Sequence, residues 1–95
     1  MTMKYRFFNA DTLLANPLYN PDVVLNMLMA QRFLKNDAAL SRALDVAPPV
    51  ISKIRHRVLP ITAWVLLRIH HLADKPVDEL RLMMGDSLAV DDGNS

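Results

Sequence analysis

The run from Asn36 to Arg57, NDAALSRALDVAPPVISKIRHR, constrains the fold more than any other part of this chain. Leu40, Ala43 and Leu44 recur at helical spacing and mark the inner face of one short helix. Val50, Ile51 and Ile54 mark the inner face of a second, with Val46 plugging the corner between them. Asn36 or Asp37 starts the first helix, because a short polar side chain accepts a hydrogen bond from an N–H that the helix leaves unpaired. Asp45 falls at the turn, where a left-handed residue is often needed, and aspartate tolerates that region better than most side chains. Pro48 and Pro49 open the second helix, which runs to about His56; a missing N–H there costs no intrahelical bond.

Opposite its apolar side, the second helix carries Pro49, Ser52, Lys53 and His56, flanked by Arg55 and Arg57. A helix held by its apolar face, with short polar and cationic groups outward, suits the major groove of DNA. The charge distribution points the same way. The net charge of +1 hides seven Lys/Arg against three Asp from Lys35 to Lys75, a net of +4, and a net of −4 from Pro76 to Ser95. A polyanion is expected where the cations gather, around the two-helix run. Double-stranded DNA is therefore the expected partner.

The remaining segments read as helices too, which makes the expected fold class all-α. Pro21 to Leu34 forms a helix with Val24, Leu25, Leu28 and Met29 inside. Thr62 caps another, Ala63 to about Ala73, carrying Leu66, Leu67, Ile69 and Leu72. Pro76 opens a fifth, with Asp78 and Glu79 in its first turn, Leu80 and Met83 as buried anchors, and Gly85 as its stop. With 95 residues the chain makes one small domain. Residues 1–20 are expected to be an N-terminal extension or arm, with Lys4 to Phe8 as its short strand or arm. Residues 21–85 are the helical domain, and 86–95 an acidic flexible tail.

Several classes of function are excluded. Without cysteine there is neither a disulfide framework nor a thiolate metal site. No apolar stretch approaches a membrane span, and Met1 to Phe8 lacks a cleavable signal, so a cytoplasmic location without membrane contact is expected. His70 and His71 are adjacent and point about 100° apart on a helix, so no metal is expected there or at His56. There is no glycine-rich phosphate loop and no Ser/His/acid motif, hence no expected catalytic residue, cofactor or enzyme activity. Met27, Met29, Met83 and Met84 are expected as core filler and interface surface.

From about Pro21 to Gly85 the chain resembles the Cro and phage-lambda-repressor-like helix-turn-helix family, also called the xenobiotic-response-element family. The resemblance lies in Leu40-Ser41-Arg42-Ala43-Leu44, Val46 and Val50-Ile51-Ser52-Lys53-Ile54. It continues through Leu66-Leu67-Arg68-Ile69 and Val77-Asp78-Glu79-Leu80, without an inserted residue. It implies a five-helix bundle containing a helix-turn-helix, DNA binding as a homodimer, and a role as a transcriptional regulator, a repressor in particular. Bases would then be contacted by Pro48, Pro49, Ser52, Lys53 and His56, and phosphates by Asn36, Arg42, Arg55 and Arg57.

Three departures from the family pattern matter. Asp45 replaces the usual turn glycine and Arg57 the glycine after the recognition helix. Pro48 and Pro49 stand where hydrogen-bonding side chains are common; they offer a base edge only apolar contact, as with a thymine methyl. Trp64 falls on the outward stripe of the fourth helix with Arg68 and His71. It is expected either at a subunit interface or beneath Tyr5, Phe7 or Phe8. Two other readings share the fold. One is an antitoxin that binds its operator and holds a small protein partner through residues 1–20 or 86–95. The other is a protein-interaction adaptor without DNA readout.

Overall fold

Between Pro21 and Met83 the chain forms α1 (Pro21–Arg32), α2 (Asp37–Leu44), α3 (Pro48–Arg55), α4 (Ala63–Ala73) and α5 (Val77–Met83). The computed structural model describes residues 14–85, and among them no strand occurs, so the fold is all-α. Three helices start on side-chain caps. Asn20 Oδ1 accepts from the Asp22 N–H at 3.2 Å, Asn36 Oδ1 from Ala39 at 2.9 Å, and Thr62 Oγ1 from Val65 at 3.4 Å. α3 and α5 begin instead on proline-marked turns, and Asp78 and Glu79 complement the positive end of α5.

Four of the five helix ends are formed without glycine, α5 alone being followed by one, Gly85. Phe33, Asp45, Arg57 and Asp74 all adopt the left-handed conformation, with φ between 56° and 59°. For an L-residue this costs roughly 1–2 kcal/mol. Hydrogen bonds that close the helix ends offset it: Leu34 N–H to Met29 O at 2.9 Å, Val46 to Ser41 at 3.0 Å, and Val58 to Lys53 at 2.8 Å. Leu34 and Val46 then pack back on the core. Asp45 thus takes the conformation expected of it.

Val24, Leu25 and Leu28 of α1 lie at the centre, fully buried, and α1 packs against α3, α4 and α5. Leu40 and Leu44 of α2 and Ile51 and Ile54 of α3 are buried where the two helices pack, and Val65, Leu66, Ile69 and Leu80 belong to the same core. Two inner-face assignments change. Leu67 is 49% exposed, because Val65, Leu66, Ile69 and Ala73 define the inner side of α4 and leave residue 67 opposite. Met84, rather than Met83, is the fully buried methionine, since α5 stops at Met83 and the chain turns inward there.

The packed unit also begins earlier than Pro21. Asn16 Nδ2 donates to Gly85 O at 2.9 Å, and the Asn20 N–H to Met84 O at 2.7 Å. Tyr19 is buried, its hydroxyl accepting from the Ile61 N–H at 3.1 Å, and Leu14 packs on the core. Residues 14–20 therefore lie as a strap across the end of α5. The expected arm at residues 4–8 and the acidic tail at 86–95 lie outside the described residues. No described helix is long and apolar enough to cross a membrane.

Candidate nucleic-acid interface

Ile51 and Ile54 are buried and set the rotation of α3 about its axis. Pro48, Pro49, Ser52, Lys53 and His56 are consequently all exposed. Pro49, Ser52, Lys53 and His56 stand at i, i+3, i+4 and i+7, so they form one outward stripe. The His56 ring folds back along the helix, its Nδ1–H donating to the Ser52 carbonyl at 2.8 Å. A carbonyl oxygen only accepts, so Nδ1 carries a proton and Nε2 is left at the outer edge of the ring. At the start of α3, Pro48 and Pro49 have no N–H, and the Val50 N–H is bonded to Ala47 O at 2.9 Å. The usual anion-binding capacity of a helix N-terminus is missing here.

Arg55, expected at a phosphate, is engaged within the protein. Its Nε donates to Asp37 Oδ2 at 2.8 Å and its Nη2 to Asp37 Oδ1 at 2.9 Å. Its Nη1 donates to Asp22 Oδ1 at 2.7 Å, and Nη2 reaches Asn26 Oδ1 at 3.0 Å. The side chain is only 20% exposed. Burial pulls the guanidinium pKa down, but the hydrogen bonds and charges of Asp37 and Asp22 outweigh it and leave the pKa raised. Both aspartates lie in first turns and Arg55 in a last turn, so all three charges also suit their helix dipoles. Arg55 joins α1 and α2 to α3; spending it on a phosphate would strand two carboxylates. Charge and position alone suggest a phosphate contact, and nothing in local spacing points to Asp22 or Asn26, 33 and 29 residues away.

The other cations differ. Arg42 is exposed on α2. Arg57 is exposed just beyond α3, where Nη1 donates to Arg55 O at 3.0 Å and Nη2 to Asn20 Oδ1 at 3.2 Å. These neutral acceptors hold the side chain beside the start of α1 without cancelling its charge. Asn36 uses its Oδ1 as the α2 cap and is otherwise exposed.

Trp64 lies apart from this face, 57% exposed on the outer side of α4 with Leu67, and the Arg68 guanidinium carbon sits 5.6 Å from its ring centroid. Any cover from Tyr5, Phe7 or Phe8 falls outside the described residues. His70 Nδ1–H donates to Lys75 O at 2.6 Å, so this ring braces the α4–α5 turn. No family model, curated protein or solved structure matches this chain.

Proposed function

We propose that this protein is a sequence-specific double-stranded DNA-binding regulator of transcription, acting as a repressor. In this reading α2 and α3 form a helix-turn-helix within a lambda-repressor-like domain, and α3 lies in the major groove. The observation that carries it is the division of α3 into an isoleucine-anchored side and an exposed stripe of Pro49, Ser52, Lys53 and His56. Lys53 suits the O6 and N7 acceptors of guanine, and Ser52 either a donor or an acceptor. Arg42 and Arg57 supply phosphate contacts, joined by the polar Asn36; Arg55 holds the reading helix at its angle from behind. The role is binding rather than catalysis.

The resemblance implies a homodimer, and the exposed Trp64 and Leu67 supply an apolar surface for pairing. One observation favours the adaptor reading: α3 begins without a backbone donor for a phosphate. Selecting bound molecules from a random duplex library tests the proposal. A specific dimer enriches a palindrome whose half-sites lie about one helical turn apart. A bound pool with no enriched sequence would overturn it.

A further inference from the structure

Ala47, Pro48 and Pro49 are three consecutive exposed apolar residues, set at the tip of a face that is otherwise polar and cationic. Exposed apolar runs are not expected at random on a small domain and call for a use. This tip has an unusual chemistry. It carries no side-chain donor or acceptor, Pro48 and Pro49 have no N–H, and the Val50 N–H is already bonded to Ala47 O. Whatever meets it must be satisfied by apolar contact.

We infer that this tip reads the 5-methyl groups of pyrimidines in the major groove, resting on the groove-binding reading above. The leading residues of a groove-docked helix lie nearest the base edges. Of the groups presented there, only the thymine C5-methyl is apolar. Against the pyrrolidine rings, the amino group of adenine or cytosine and the acceptors of guanine lose water without gaining a partner. A methyl group buried against the rings gains binding instead. A 5-methylcytosine carries the same group at the same place, so the tip also recognises methylated cytosine in its register. Lys53 and Arg57 keep the duplex close by charge, while the prolines select for the methyl group.

The experiment uses the full chain and the duplex enriched from the random library. Each thymine is replaced in turn by deoxyuridine, which removes only the methyl group, and each sensitive thymine also by cytosine and by 5-methylcytosine, of which the methylated base should bind more tightly. One or two thymines per half-site are expected to lose roughly fourfold in affinity when replaced, the factor that one buried methyl supplies. In the Pro48→Ser/Pro49→Ser variant, checked for parental helicity and melting, the thymine and deoxyuridine duplexes should bind equally. Because the first arm changes only the DNA, it does not depend on the variant folding. Uniform insensitivity to deoxyuridine in a protein that binds the duplex overturns this inference alone. Sensitivity that persists in the folded double variant also overturns it, by placing the methyl contact elsewhere. Absence of duplex binding overturns both the inference and the reading it rests on.

Discussion

Arg55 in the last turn of α3 grips Asp37 in the first turn of α2 with two parallel bonds, Nε to Oδ2 at 2.8 Å and Nη2 to Oδ1 at 2.9 Å. The planar guanidinium fork fits a carboxylate in this way, and an ammonium cannot reproduce it. The second nitrogen arm, on Asp22, extends the tie to α1. The angle at which α3 presents its outer face is thus held by one cation and two carboxylates.

Arg55→Lys keeps the charge and loses the fork. The pair is partly exposed, so the cost lies well below that of a fully buried pair, at roughly 1–2 kcal/mol. Urea unfolding should show a lower midpoint for this variant. On the proposed function, the salt dependence of DNA binding should change little, because Arg55 is engaged by Asp37 and Asp22. A parental midpoint would mean that the tie contributes nothing to stability.

Ile54 is buried where α3 meets the core. Ile54→Ala leaves a cavity costing about 2–5 kcal/mol, a large part of the stability of a domain this small. Thermal melting followed by circular dichroism reads this directly. A variant that melts with the parent would show that α3 is rotated about its axis from the orientation described.

Gly85 ends α5 at φ 83°, and a Cβ there would run into the Leu18 carbonyl. The obstacle is backbone and the conformation is one that alanine avoids, so neither can relax cheaply. Gly85→Ala should cost on the order of 2 kcal/mol or more and loosen the strap at residues 14–20. Amide exchange at Asn20, whose N–H bonds to Met84 O, should then rise more than exchange in α1. Unchanged stability and exchange would contradict that contact.

The helix starts were legible in the sequence because their causes are local. Asn36 and Thr62 cap N–H groups three residues away, and Asp45 stands in a turn that tolerates few other side chains. The outward set on α3 was legible as well, as the complement of Ile51 and Ile54. What stayed hidden depends on distant partners. Arg55 meets carboxylates 18 and 33 residues away, and its charge alone does not distinguish a tie from a DNA contact. The strap at 14–20 rests on a bond from Asn16 to Gly85, 69 residues apart. Leu67 and Met83 were misplaced for a smaller reason: each lies next to a buried residue, Leu66 and Met84, and short helices fix rotation only loosely by pattern.

Arg57 gives a prediction with two opposite signs. It is left-handed at φ 58°, the conformation that glycine takes most easily. Arg57→Gly should raise folding stability by up to about 1 kcal/mol. The same change should weaken duplex binding alike on all sequences and flatten the slope of log affinity against log salt by about 0.9. Parental affinity and an unchanged salt slope would remove Arg57 from the phosphate contacts.

The central claim is that the outer face of α3 reads base edges, and Lys53 is the long cation on that stripe. The most direct measurement compares Lys53→Ala with the parent on the selected duplex and on random duplex of equal length, at one fixed salt concentration. The account predicts a loss of roughly 1–3 kcal/mol on the selected duplex and little change on the random one. Parental affinity on both, in a variant that still melts like the parent, would contradict it.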